Sequence, residues 1–358
     1  MLDYIIVGSG LAGIAFSEIA LQHNKSILVI NNQSQNSTRI AGGLYNPVIL
    51  KRFSEVWQAQ QQLDLLYPFY ANLEKKLYVK LDYKLALLRK FYSVEEQNNW
   101  FTASDKPNLS NYLSTNLITT KWNAIPSPFN FGEVLHSGYV DTALLLESYR
   151  SYLIKENLYL EDTFDYAQLT NNTDFIEYKK LKAKHIIFAE GFGMLLNPFF
   201  NKLPLDGTKG ELLIIKAPNL NLEVIMKSSI FVIPLGNDLY KVGATYNWED
   251  KTNIPTESAK KELIDNLSEL ISCAFEIIEH QAGVRPTVKD RRPLVGTHPI
   301  HNNLHVLNGL GTRGVMLAPA MALSLFNHIE HHEPLDENID IRRIKNFVSS
   351  FYQSGQKD

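Results

Sequence analysis

The sequence predicts an α/β fold in which a parallel sheet is built from both ends of the chain and a second sheet is inserted between them. Three observations predict it. The chain opens on an unbroken apolar run, Tyr4-Ile5-Ile6-Val7, followed at once by a glycine-rich turn. Continuous β-branched runs mark strands buried on both faces, as parallel strands are. Residues 11–24 then carry small and apolar side chains at helical spacing, and Ser26-Ile27-Leu28-Val29-Ile30 reads as a second buried strand, completing a βαβ unit. The last quarter returns to strand, glycine-rich turn and helix at 304–307 and 315–330, after a middle rich in short strand patterns.

The elements between follow in order. From 53 to 77 the residues Leu63, Leu65, Leu66, Phe69, Tyr70 and Leu73 predict a helix. Residues 78–131 are rich in aromatics, Asn and Ser and close on Ile125-Pro126-Ser127-Pro128, which predicts a β-rich insertion. A helix is expected at 141–155, with Asp141 or Thr142 as N-cap, and a strand at His185-Ile186-Ile187-Phe188-Ala189. Residues 211–216, 230–234 and 240–246 read as strands, with turns at Pro218-Asn219 and Gly236-Asn237-Asp238. Residues 257–280 predict one amphipathic helix capped by Thr256, with Leu263, Leu267, Leu270, Ala274, Ile277 and Ile278 on one face.

The 358 residues are 45% hydrophobic, 11% aromatic and 20% charged, a globular composition that excludes a disordered chain and a membrane bundle. Two domains are expected at this length. Thirty-five basic against 38 acidic residues leave a formal charge of −3, so no global basic field for nucleic acid is present. No apolar run approaches the roughly 18 residues of a membrane span. The start at Met1 carries no basic leader, so no signal peptide is expected. The single cysteine, Cys273, falls inside the predicted amphipathic helix, cannot form an intramolecular disulfide and fits a reducing, cytoplasmic compartment.

Gly8-Ser9-Gly10-Leu11-Ala12-Gly13 is G-x-G-x-x-G between strand and helix. In that context the first glycine makes the turn, the second lets backbone approach a pyrophosphate, and the third lets helix and strand pack closely. The helix N-terminus then faces the phosphates. The usual ribose ligand is an acid about 20 residues on. Here the end of the second strand offers Asn31 and Asn32, whose neutral bonds are weaker than charge-assisted ones. Ala189-Glu190-Gly191 follows a strand, and Gly311-Thr312-Arg313-Gly314 opens the last helix. A chain that returns to its nucleotide with its final helix points to FAD. His328, His331 and His332 end that helix, where histidine suits the negative dipole end, and no metal site is expected.

Further motifs stand in the same order along nearly the whole chain: Thr38-Arg39-Ile40-Ala41-Gly42-Gly43-Leu44, Gly138-Tyr139-Val140-Asp141, Lys209-Gly210-Glu211, Val242-Gly243-Ala244-Thr245 and Ala282-Gly283-Val284-Arg285-Pro286. With the glycine loops they make the sequence resemble the FAD-dependent D-amino-acid oxidase superfamily, in its glycine oxidase and sarcosine oxidase branch. Gly42-Gly43-Leu44-Tyr45-Asn46-Pro47 and Gly309-Leu310-Gly311-Thr312-Arg313-Gly314 also resemble the oxidase module of the bacterial bifunctional enzyme that matures methylaminomethyl-uridine in tRNA.

The resemblance implies a Rossmann-like FAD-binding domain at 1–77, 132–204 and 281–358, with an inserted mixed or antiparallel β-sheet substrate domain at 78–131 and 205–280. FAD is expected to be non-covalent, because Cys273 lies outside any attachment context. The implied cofactor contacts are Gly8, Gly10, Leu11, Ala12, Gly13, Asn31, Asn32, Thr38, Arg39, Ala41, Gly42, Gly43, Leu44, Asp165, Ala189, Gly191, Gly311, Thr312, Arg313, Gly314, Val315 and Met316. Thr38 to Leu44 would run from the pyrophosphate to the flavin, Asp165 would offer backbone to the adenine, and the positive end of the last helix would face the flavin pyrimidine. For Arg39 a phosphate contact and a surface position stand side by side.

On the substrate side the resemblance implies Arg285, Phe231 and Tyr246. Arg285 matches the family arginine that holds a substrate carboxylate through bidentate bonds; the alternative is a salt bridge to a nearby acid. Phe231 stands where glycine oxidase relatives place a tyrosine, and Arg313 lies one residue after Thr312, where they carry an arginine. Tyr246 and Trp248 either wall a substrate cavity or belong to the core. The implied reaction is hydride transfer to flavin from the carbon beside the nitrogen of a glycine-, sarcosine- or D-amino-acid-like amine, with dioxygen or another acceptor reoxidising the flavin. Two readings compete with it: oxidation of a carboxymethylaminomethyl group on tRNA, the less favoured partner at this net charge, and a non-catalytic flavoprotein acting through partners.

Overall fold

The computed structural model describes residues 1–119 and 121–352. Backbone contacts divide the chain into two units: Met1–Arg39, Ala143–Thr208 and Val284–Asp358 form the first, Ile40–Thr142 and Lys209–Gly283 the second.

The first unit is built on the expected βαβ. Leu2–Val7 pairs in parallel with Ile27–Ile30 on one side and Leu181–Phe188 on the other, with the helix Leu11–Gln22 as crossover. Tyr4, Ile5 and Ile6 are fully buried in this central strand, which is why the run is unbroken. Tyr159–Leu160 extends one edge in parallel, while Ile176–Tyr178 and Leu169–Asn171 add antiparallel strands at the other. Leu304–Asn308 joins Leu181–Phe188 in parallel and pairs antiparallel with Leu294–Thr297. Ile5, Val7, Phe188, Phe200, Leu304, Val306 and Phe347 share one core.

The second unit holds an eight-stranded sheet in the order Glu276–Val288, Leu205–Lys216, Leu239–Gly243, Phe231–Gly236, Ile225–Lys227, Leu87–Lys90, Phe131–Val134, Leu113–Ile118. Ile225–Lys227 runs parallel to Leu87–Lys90 and antiparallel to Phe231–Gly236, so the sheet is mixed. Its core contains Leu88, Phe131, Leu213, Met226, Val232 and Val242, covered by Leu263, Leu267 and Leu270 of the helix Glu257–Leu270.

Several expectations are corrected. The helix expected at 257–280 ends at Leu270, because Ile271 takes extended angles (φ −118°, ψ 147°) and Glu276–Val288 is a strand. Ile277 and Ile278 suit a strand as well as a helix, and strand pairing decided the matter. Thr256 does cap the helix, accepting from Ala259 N at 3.3 Å. Cys273 lies between helix and strand, a free thiol raised above its ordinary pKa by burial. The insertion expected to be β-rich also contains the helix Val94–Ser104, capped by Ser93, which accepts from Glu96 N at 3.2 Å. The helix expected from residue 53 starts at Ala59, after Gln58 in left-handed conformation. The strand expected to reach 246 stops at Gly243. Residues 40–77 and 132–142, expected in the nucleotide domain, fall in the second unit, since Leu44–Tyr45 and Asp82–Tyr83 both pair with Gly138–Val140.

Candidate functional site

In the first unit, Gly8 has φ +101°, a conformation that favours glycine, and its N–H donates to the Ile30 carbonyl at 2.9 Å. A Cβ at Gly8 would strike the Ala189 carbonyl, and one at Gly13 would strike the Gly8 carbonyl. Both glycines are therefore consumed by packing. Gly10 differs: among the described residues, only the Thr38 hydroxyl, at 3.2 Å, comes within 4 Å of a Cβ placed there. That is the open approach a pyrophosphate requires. The helix Leu11–Gln22 has no side-chain cap and no acid in its first turn; Thr38 Oγ1 accepts from Leu11 N at a long 3.4 Å. Uncapped N–H groups and the positive dipole end favour an anion here.

The other glycine turns converge on the same end of the sheet. Gly191 has φ +58°, a Cβ there would meet nothing within 4 Å, and its carbonyl accepts from Asn308 Nδ2 at 2.9 Å. Asn308 Oδ1 accepts from Gly309 N at 2.8 Å, tying the turn Gly311–Arg313 to the Ala189-Glu190-Gly191 turn. The helix Gly314–His331, expected to be the last, is followed by a shorter one at Lys345–Tyr352, and it too begins without a side-chain cap. Gly314 packs it against the first, since a Cβ there would lie 2.9 Å from Leu11 Cδ1. Val315, Met316 and Ala12 are buried in this packing.

The remaining positions in the first unit are more engaged. Asn31 Nδ2 donates to the Tyr159 hydroxyl and Asn32 Nδ2 to Thr163 Oγ1, each at 3.2 Å. The Asp165 amide donates to the Tyr178 hydroxyl at 3.1 Å, and its carbonyl accepts from Gln168 N at 3.0 Å. Bonds from Gln168 and the Ala167 amide hold its carboxyl below the ordinary carboxylate range. Arg39 is exposed on the short helix Ser37–Ile40. Sequence reasoning missed the Glu190 carboxyl, which accepts from Asn197 Nδ2 at 2.7 Å and from the Tyr166 hydroxyl. Burial pushes it up to about 7. A charged residue inside a glycine turn was its one visible signal.

In the second unit, Gly43 (φ +70°) lies against the Val140 carbonyl, where a Cβ would clash. The Phe231 ring covers Gly42 and Gly243: a Cβ at either would lie 2.7 Å from Phe231 Cζ. Lys241 Nζ donates to the Ala41 carbonyl at 3.1 Å, and burial holds this ammonium below its ordinary pKa. Ala41 to Leu44 is thus pinned onto the sheet from two sides. Tyr246 is 62% exposed and Trp248 49%, so the core reading of both is set aside. Arg285 is half-buried on Glu276–Val288, in the part of that strand assigned to the first unit.

Among the described residues, no group of three or more His, Cys, Asp or Glu could hold a metal ion. No described helix is long and apolar enough to cross a membrane.

The glycine oxidase of Pseudomonas aeruginosa is 25% identical over 161 residues, 44% of this chain and 44% of that protein. A tRNA 5-methylaminomethyl-2-thiouridine biosynthesis bifunctional protein of Idiomarina loihiensis is 26% identical over 150 residues, 40% of this chain and 24% of that protein. Each match thus spans less than half of the curated relative. The glycine oxidase structure from Geobacillus kaustophilus superposes with a TM-score of 0.76 at 16% identity, covering 94% of this chain and 96% of that one. The iminodiacetate oxidase structure from Chelativorans sp. does so with 0.74 at 17%, covering 93% and 96%. These likenesses show the fold. The match to the family described as FAD dependent oxidoreductase runs over residues 3–326, nearly the whole chain. On that match, and on the glycine cradle it contains, the chain belongs to the DAO family of FAD dependent oxidoreductases.

Proposed function

We propose that this chain oxidises the C–N bond of a small amine or amino acid that carries a carboxylate beside that bond, in the manner of glycine, sarcosine or a D-amino acid. The observation that carries the reading is Arg285, a half-buried guanidinium within Gly283-Val284-Arg285-Pro286. Glycine oxidases and an iminodiacetate oxidase among the similar proteins support it.

The cradle around Gly10, open where Gly8 and Gly13 are closed, fits the diphosphate of FAD. Bound there, FAD supplies the chemistry, accepting a hydride from the carbon beside the nitrogen. The chain's own residues do the rest. Gly8, Gly10, Leu11, Ala12 and Gly13 with Thr38 would hold the diphosphate, and Asn31 and Asn32 the ribose. Gly191, with Gly311, Thr312, Arg313, Gly314, Val315 and Met316, would present backbone and a helix N-terminus, which favour negative charge nearby. Arg285 would orient the carboxylate by two parallel bonds, and the apolar ring of Phe231 would exclude water. Tyr246, on its exposed loop, would border substrate entry.

Anaerobic mixing of the holoprotein with glycine, sarcosine, D-alanine, iminodiacetate and their decarboxylated analogues tests this. The carboxylate amines should bleach the flavin and their analogues should not. A second reading, in which tRNA carries the reacting group, is favoured by the bifunctional relative and opposed by the net charge of −3. Bleaching by a carboxymethylaminomethyl-uridine tRNA and by no small amine would replace the first reading with the second.

A further inference from the structure

We propose that Arg89 and Lys227 form a subsite for an oxyanion, so that the preferred amine carries a second acidic group. This rests on the amine-oxidase reading above and names its substrate class more closely.

The placement follows from register. Side chains alternate between faces along a strand. In the second unit's sheet Leu88, Met226, Val232 and Val242 enter the core, so Arg89, Lys227, Phe231 and Gly243 lie on the opposite face. Arg89 is the register partner of Lys227, Lys227 of Phe231, and Phe231 of Gly243, so the four form one row across the sheet. At about 4.8 Å between strands, Lys227 is one spacing and Arg89 roughly 10 Å from Phe231. The Phe231 ring covers Gly42, so this row starts at the loop the family reading places beside the flavin.

The row is poor packing and good anion chemistry. Like charges opposite one another on neighbouring strands repel. Among the described residues, Lys227 Nζ donates to two main-chain carbonyls, those of Ser228 at 2.9 Å and Ser229 at 3.1 Å. Burial, with the Arg89 guanidinium beside it, pushes the ammonium down to about 8. Arg89 Nη2 is 3.7 Å from Glu96, and its Nη1 reaches the Leu50 carbonyl only at 3.5 Å. Among the described residues, Arg89 Nε is enclosed with no hydrogen-bond partner. An enclosed donor left unsatisfied costs stability, and one oxyanion would engage the guanidinium and the ammonium together. A carboxylate and a phosphate ester share that chemistry.

The first measurement uses the unaltered holoprotein. Acylation of Lys227 by acetic anhydride at pH 8, mapped by peptide mass spectrometry, should be slowed by inorganic phosphate or glutarate and not by chloride at matched ionic strength. The second compares anaerobic flavin reduction by D-glutamate with D-glutamine, and by O-phospho-D-serine with D-serine. At least one acidic member should exceed its neutral partner in kcat/KM by about tenfold or more, as a charge-assisted contact predicts; which pair responds tells carboxylate from phosphate. In Arg89→Gln and Lys227→Gln that ratio should fall toward one. Absence of protection, or a ratio near one for both pairs in the unaltered protein, overturns the subsite while bleaching by a monocarboxylate amine still upholds the oxidase. Protection without bleaching by any amine overturns the oxidase reading instead.

Discussion

Replacing Glu190 with Gln should stabilise the protein at pH 8 and leave it nearly unchanged at pH 4.5. The Glu190 carboxyl receives bonds from Asn197 and Tyr166, yet burial outweighs them and lifts it from an ordinary 4.5 to about 7. The folded state therefore holds a proton that the unfolded chain releases earlier. Its contribution to stability is complete below 4.5 and is lost as pH rises through 7. At 1.36 kcal/mol per pH unit, the difference between those two values corresponds to roughly 3 kcal/mol. Gln keeps the shape of the protonated acid and never ionises, so the variant should gain up to that amount above pH 8. The assay is urea unfolding of both proteins at saturating FAD across pH 4.5–8.5, reading the difference between midpoints. A difference that stays flat with pH would refute the assignment, as would a variant less stable than the parent at pH 8.

Two further outcomes follow from the cradle and the clamp. Gly10→Val should abolish FAD binding, because its side chain fills the open approach between Gly8 and Gly13, whereas Asn31→Ala should lose a single neutral bond worth about 0.5–1.5 kcal/mol; two FAD dissociation constants decide this. Arg285→Ala should weaken a carboxylate amine by roughly 10- to 150-fold while retaining FAD, and Arg285→Lys should recover only part, since a point charge lacks the bidentate fork; stopped-flow flavin reduction measures both.

The first unit was legible because its signals are local and steric. Gly8, Gly10 and Gly13 stand in a fixed spacing for reasons of backbone space, and Tyr4-Ile5-Ile6-Val7 is unbroken because both faces are covered. The second unit was less so. Residues 270–280 kept a helical period over two turns, and only the neighbouring strand Leu205–Lys216, about 60 positions earlier, turned Ile277 and Ile278 into a strand. The loop carrying Tyr246 and Trp248 follows a strand of core residues, and nothing local says that its aromatics face solvent. Arg89 and Lys227 are ordinary surface residues by type. Their meeting depends on a parallel pairing between segments about 140 residues apart, which no window on the sequence contains.

Lys209 shows how that exposed loop is nevertheless fixed. Its side chain is fully buried, its ammonium lying 2.5 Å from Asp250 and 3.3 Å from Glu211 and donating also to the Ile254 carbonyl. Glu211, 2% exposed, accepts from Thr256 N at 2.8 Å and Thr256 Oγ1 at 2.9 Å. One ammonium thus binds the loop at 250 and 254 to the strand beneath, and holds the Asp250 carboxyl down to about 2. Lys209→Met removes the ammonium and leaves Glu211 buried beside a second carboxylate, with the Thr256 donors and the His280 ring, whose Nε2 lies 2.9 Å away, as its remaining partners. Breaking a buried pair from one side costs about 3–5 kcal/mol, whereas removing both charges costs far less. Lys209→Met should therefore lower stability by that amount and speed proteolysis between Trp248 and Ile254, and Lys209→Met with Glu211→Gln should recover much of the loss. A double-mutant cycle in urea gives the coupling directly. A cost for Lys209→Met below about 1 kcal/mol, or no recovery in the double variant, would show that hydrogen bonds from Asn247 and Thr256, not the buried charge, hold the loop.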